Sequence, residues 1–103
     1  MSASAALAER SPGKFELTGT LTFATARGAR EAGLTAFGAS SSRELQVDCG
    51  AVTAADSAGM AVLLDWMSFA KQSGRSLRYG RLPAQMQALA RICEVLDLLE
   101  QGV

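Results

Sequence analysis

The residues of this chain best suited to do chemistry are Asp56 and Ser57, a carboxylate and a hydroxyl side by side. They precede Ala58 to Gln72, whose apolar residues recur at helical spacing, so the pair sits where a strand-to-helix loop feeds a helix N-terminus. On local chemistry alone it is a cap, because Asp or Ser at N-cap accepts a backbone N–H bond that the first turn otherwise lacks. Its position adds a second possibility, since α/β proteins build their sites on loops beyond the carboxyl ends of parallel strands. A hydroxyl there can also receive a phosphoryl group, whose charge the helix dipole tolerates and which Asp56 and an apolar partner surface oppose. Ser57 therefore reads as a switch or contact point. It is no hydrolase nucleophile, because the chain has no histidine to act as its base.

Other candidates are weaker. The missing histidine also removes Cys-His pairs, imidazole general bases and nearly every zinc constellation. Cys49 and Cys93 form no CxxC spacing and read as buried, reduced thiols. Asp48, Asp56 and Asp65 offer oxygens to a hard cation, but their spacing matches no metal loop. Gly28, Gly33 and Gly38 fit no phosphate-binding pattern, and Arg75, Arg78 and Arg81 read as a solvated edge. No catalytic residue, metal site or cofactor is expected, and the chain is not expected to be an enzyme.

The elements that must position Asp56 and Ser57 follow from the periodicity. Residues Met1 to Gly13 read as a flexible, Ala/Ser-rich N-terminal tail ending in a Ser-Pro-Gly breaker, leaving residues 14–103 as the domain. From Lys14 the chain alternates as a half-buried strand, bends at Gly19 and continues through Leu21. A helix is predicted over Phe23 to Gly38 with Thr22 as N-cap, then a strand over Glu44 to Cys49 and an irregular stretch from Gly50 to Ala55. The helix from Asp56-Ser57 runs to about Gln72, closed by Gly74. Leu77 and Tyr79 suggest a strand, Leu82-Pro83 opens another helix, and Val95 to Leu99 makes a last helical turn against the core. Strand–helix–strand units of this length imply parallel pairing, so the expected fold is α/β: one mixed β-sheet packed with α-helices on one face or both.

The helix after Ser57 carries two apolar stripes. Met60, Leu63, Leu64, Met67 and Ala70 suit burial on the sheet; Ala58, Val62, Trp66 and Phe69 lie toward another side. The second stripe either completes a helix buried on most of its circumference or docks onto a partner with Trp66 as anchor.

Composition narrows the partner. With 103 residues and 49% hydrophobic content there is one domain with a real core. Ten Lys and Arg balance ten Asp and Glu, which argues against nucleic acid or anionic lipid as ligand and favours a protein. The first dozen residues show no charged stretch followed by an apolar one, and the longest apolar run, Met60 to Leu64, stops at Asp65, so neither a signal peptide nor a membrane span is expected and the location expected is cytoplasmic.

From about Phe15 to Leu99 the chain resembles a STAS domain, the fold of anti-sigma-factor antagonists and of the cytoplasmic tails of sulfate transporters. The likeness rests on Leu17-Thr18-Gly19-Thr20-Leu21, on Leu45-Gln46-Val47-Asp48-Cys49, and on Val52-Thr53-Ala54-Ala55-Asp56-Ser57-Ala58-Gly59-Met60-Ala61. Leu21-Thr22-Phe23-Ala24-Thr25 and the one-domain length are similar to the MlaB type, the lipid-asymmetry or toluene-tolerance branch. That resemblance implies a non-enzymatic cytoplasmic subunit, peripheral to the inner membrane, that binds and supports the ATPase subunit of an ABC transporter of phospholipid. It implies a contact patch at Asp56, Ser57, Ala58, Met60, Ala61, Leu64 and Asp65; contacts on the first helix differ among members, and Arg27 and Arg30 are the candidates there. The alternative it carries is an anti-sigma-factor antagonist switched by phosphorylation of Ser57. Many antagonists have a second serine where this chain has Ala58.

Overall fold

Residues 4–102 are described by the computed structural model of the chain. Its first feature is a hairpin: β1 (Ala5–Ser11) pairs antiparallel with β2 (Lys14–Leu21) around the turn Pro12-Gly13. Proline presets the first corner of such a turn and Gly13, at φ 78°, supplies the left-handed second corner. The expected tail over residues 1–13 is thus a strand from Ala5 to Ser11, and Met1 to Ala3 lie outside the described residues. Ser-Pro-Gly breaks a strand only to fold it back.

The order continues α1 (Ala26–Ala39), β3 (Glu44–Ala55), α2 (Ser57–Gln72), β4 (Ser76–Gly80), α3 (Ala84–Ile92) and α4 (Leu96–Gln101). One four-stranded sheet results, in the order β1-β2-β3-β4, with β2-β3 and β3-β4 parallel as the crossovers through α1 and α2 require. The fold is α/β in a single domain with a radius of gyration of 12.3 Å.

Where the sequence suggests an end at Cys49, β3 runs on to Ala55 paired with β2, and its register shifts twice on the way, between Glu16 and Thr18 and between Gly19 and Thr20. Each shift puts an extra β3 residue against β2 and breaks the period-two alternation that identifies a strand. Beyond Asp48↔Gly80 the strand has β2 alone as neighbour.

Inward-facing Phe15, Leu17, Leu45, Val47, Leu77 and Tyr79 meet Leu63, Met67 and Phe37 from the helices, with Leu99 of α4 sealing the core beyond α3. Phe37 stands edge-on to both Phe15 and Trp66, with ring centroids 5.1 and 5.4 Å apart. α2 closes as a Schellman motif, the Arg75 and Gly74 N–H groups returning to the carbonyls of Ala70 and Lys71. The other sheet face is polar, with Glu16, Gln46, Asp48 and Arg78 turned outward over an open groove of about 500 Å³.

Candidate functional site

Parallel pairing of β2 with β3 aligns Leu21 with Ala55 and sends both strands out at the same sheet edge. There α1 and α2 begin, and the two loops are tied together. The Asp56 N–H donates to the Leu21 carbonyl at 3.3 Å. One Asp56 carboxylate oxygen, Oδ1, accepts from the Gly59 N–H at 3.0 Å, capping α2; the other, Oδ2, accepts from the Phe23 N–H of the β2–α1 loop, also at 3.0 Å. These N–H groups, Gly59 first and Phe23 second, hold the Asp56 carboxyl below its ordinary pKa. Thr25 braces the loop from inside, its buried hydroxyl accepting from the Thr22 N–H at 3.0 Å and donating to the Thr20 carbonyl at 2.8 Å.

Gly59 is required for a different reason. A Cβ there would strike the Leu21 carbonyl, so α2 can approach β2 this closely only without a side chain at that position. In Asp56-Ser57-Ala58-Gly59, then, Asp56 caps and Gly59 allows contact. Ser57 does neither: it is exposed at the start of the helix.

From Ser57 the outward stripe of α2 runs through Ala61 and Asp65, both exposed, over about 12 Å at 1.5 Å per residue. Ala58 and Leu64 flank it, half-buried. Met60, expected in the same patch, is only 6% exposed, because its side of the helix turns inward with Leu63 and Met67 to the core. It is no surface contact.

Trp66 belongs to the core. It is fully buried between α1 and α2, its indole N–H donating to the Arg30 carbonyl at 3.2 Å, and its ring lies against Gly33, where a Cβ would collide with it. Val62 is buried too, so the middle of the second apolar stripe of α2 is closed off inside the domain, and Ala58 and Phe69 at its two ends are half-buried.

The exposed aromatic is instead Phe23, at 84% of its maximal accessibility. The expected helix start at Phe23 fails because α1 begins at Ala26 behind a Thr25 N-cap, leaving Phe23 in the loop. The sequence holds one signal for this: a threonine on each side of Phe23-Ala24, both able to interrupt a helix by bonding to nearby backbone. Nearby, Arg30 reaches from α1 to Asp65 on α2 at 3.2 Å, and Arg27 faces Glu31 at 3.6 Å, so both arginines have acidic neighbours.

The three aspartates considered for a cation stand apart in function. Asp48 takes a two-point contact from Arg81 at 2.9 and 2.6 Å, which lowers its pKa first of all, Asp56 caps α2, and Asp65 pairs with Arg30. Among the described residues no cluster of three His, Cys, Asp or Glu is arranged to hold a metal ion. Arg75 donates to the Phe37 carbonyl and Arg78 meets the Gln46 side chain, so the basic run is tied to the fold residue by residue. Cys49 is buried, and burial, with the Asp48 charge second, pushes its thiol up to about 12. Cys93, expected inside, is exposed beyond the end of α3. No helix among the described residues is long and apolar enough to cross a membrane.

Comparison with known proteins decides the family. The family profile described as "Mlab, STAS domain" matches residues 5–100, nearly the whole chain and including β1. The chain belongs to the MlaB-type STAS family. No protein of curated function matches the sequence. Among solved structures, this STAS domain is similar to the anti-sigma factor antagonist SpoIIAA in its unphosphorylated form. The TM-score is 0.71 at 12% identity, over 89% of this chain and 82% of that one, a likeness of fold. The family match gives the domain its class, an interaction module with a partner surface to be located.

Proposed function

We propose that this STAS domain is a non-enzymatic subunit that binds and supports the ATPase of an ABC-type phospholipid transporter. It would lie in the cytoplasm, peripheral to the inner membrane through that partner alone. The observation that carries the reading is the surface at the carboxyl ends of β2 and β3, where exposed Ser57 opens α2 one turn before exposed Ala61 and the loop of exposed Phe23 is held to the neighbouring Asp56 through its backbone N–H. Membership of the MlaB-type family supports the choice of partner. The contact would comprise Ser57, Ala58, Ala61, Leu64 and Asp65, with Asp56 holding the helix start in place and Arg27 and Arg30 at its rim. Small side chains at Ala58 and Ala61 allow close approach, and binding one state of the ATPase better than another is sufficient to regulate it.

The test is co-expression of the tagged chain with the transporter's ATPase subunit. Wild type should retain the ATPase on the affinity resin; Ser57→Arg and Ser57→Glu should lose it while keeping a native circular-dichroism spectrum. Retention at wild-type yield by both variants would place the contact elsewhere.

One observation favours a second reading, a phosphorylation-controlled anti-sigma-factor antagonist: the fold likeness to SpoIIAA together with an exposed Ser57 hydroxyl. It requires a kinase that adds phosphate to Ser57 and releases the partner. Intact mass after incubation with ATP and an anti-sigma kinase separates the two, an added phosphoryl group at Ser57 favouring the antagonist.

A further inference from the structure

We infer that Phe23 is the anchor of the partner contact and that Asp56 is its positioning residue, holding it through the second carboxylate oxygen. The inference rests on the proposed reading that the edge around Ser57 binds the ATPase subunit, and it names what that surface inserts and what keeps the insert in place.

Phe23 is the most exposed large hydrophobic side chain among the described residues. Its loop is short and held at three points. The Thr22 N–H donates to the Thr25 hydroxyl, the Thr25 N–H returns to the Thr22 carbonyl at 3.0 Å, and the Phe23 N–H donates to Asp56 Oδ2. An aromatic ring on a braced loop loses little freedom on binding, which is what a hot-spot anchor requires. The brace from Asp56 joins this loop to the first turn of α2, so the ring and the Ser57 stripe form one surface rather than two.

The occupant is a protein pocket and not a membrane. A loop-tip aromatic inserts into anionic lipid with the help of nearby unpaired cations, and here Arg27 and Arg30 face Glu31 and Asp65 while the chain is neutral overall. The Asp56 carboxylate on the Phe23 backbone N–H opposes an anionic surface further. Ser57, Ala58 and Ala61 are small and uncharged and follow directly on the Asp56 that holds the Phe23 loop, which suits a partner surface that presents an apolar pocket flanked by a flat contact.

Asp56→Asn separates the two jobs of Asp56. Asparagine caps a helix as well as aspartate does, but it has one acceptor oxygen where the carboxylate has two. With that oxygen committed to Gly59, the Phe23 N–H is left without its partner.

Binding of the purified ATPase subunit is measured by calorimetry for wild type, Phe23→Ala, Asp56→Asn and the double variant, with Ser57→Arg alongside. Phe23→Ala should weaken binding at least tenfold and Asp56→Asn several-fold, and the double variant should be no weaker than Phe23→Ala. In the free protein, Asp56→Asn should speed amide hydrogen exchange at Phe23 and leave Gly59 protected. Wild-type affinity in Phe23→Ala, with Ser57→Arg still disrupting the complex, would overturn the anchor and spare the proposed function. Additive losses in the double variant, or unchanged exchange at Phe23 in Asp56→Asn, would overturn the positioning role. Failure of the wild type to bind the ATPase would overturn the function and the anchor together. Sedimentation of the wild type with phosphatidylglycerol vesicles, abolished by Phe23→Ala, would assign the ring to a membrane and contradict the inference.

Discussion

Replacing Gly33 by alanine sets two effects of opposite sign against each other. In the interior of α1 alanine is favoured over glycine by about 1 kcal/mol, so propensity alone predicts a more stable protein. The structure predicts the reverse, because the new Cβ falls on the indole ring of Trp66. That ring has nowhere to go: it is fully buried, its N–H is bonded to the Arg30 carbonyl, and Phe37 stands against it edge-on. Forcing a methyl into such a site costs roughly 1–3 kcal/mol, and a rigid ring places this case in the upper half of that range. Net destabilisation is then about 1–2 kcal/mol, or a fall in Tm of roughly 4–16 °C for a domain of this size. Gly28 is the internal control. It lies in the same helix with open space around it, so Gly28→Ala should gain about 0.5–1 kcal/mol. Urea denaturation followed by circular dichroism reads both as shifts of the midpoint, and they should move in opposite directions. A Gly33→Ala midpoint at or above wild type would refute the packing argument for α1 on α2.

Gly59→Ala should destabilise by roughly 1–3 kcal/mol through collision with the Leu21 backbone, which can yield less than a side chain, and its urea midpoint checks this. At low pH the carboxyls of Asp48 and Asp56, held below their ordinary pKa by Arg81 and by the Gly59 and Phe23 N–H groups, stabilise the fold fully above about pH 4 and lose that contribution as pH falls through their folded values. Acid unfolding monitored by tryptophan fluorescence should therefore begin below about pH 4 in wild type and be less steep in Asp56→Asn. At high pH the sign reverses in direction. Cys49 and Tyr79 are kept neutral by burial, with folded pKa values raised, so their contribution is complete below the unfolded values and is lost as pH rises past about 9. Urea midpoints should fall between about pH 8 and pH 10.5, and Cys49→Ala should remove the earlier part of that fall.

Much of the site could be read from the sequence because it is made by local chemistry. Asp56 as cap, the helix to Gln72 and the Gly74 stop all depend on residues within a few positions of one another. What escaped depends on partners far away in the chain. β1 has the composition Ala-Ala-Leu-Ala-Glu-Arg-Ser, poor in strand formers, and is ordered by its ladder to β2 rather than by propensity. The second half of β3 is concealed by its two register shifts. Trp66 could be assigned to neither core nor surface until Gly33 opened a seat for it on α1, a match made across two helices. Phe23 falls inside the helix that the sequence suggests, and only the true start of α1 at Ala26 exposes it. Met60 erred the other way: its nearness to Ser57 in sequence suggests a shared surface, and the helical turn sends it to the core.

The most direct test of the proposed function is to titrate the unlabelled ATPase subunit into the isotope-labelled chain and follow its amide signals by NMR. Saturable changes should centre on Phe23, Ser57, Ala58, Ala61 and Asp65, with Glu16, Gln46 and Arg78 on the open sheet face undisturbed. Changes centred on that sheet face, or no change at saturating ATPase, would contradict the proposed function.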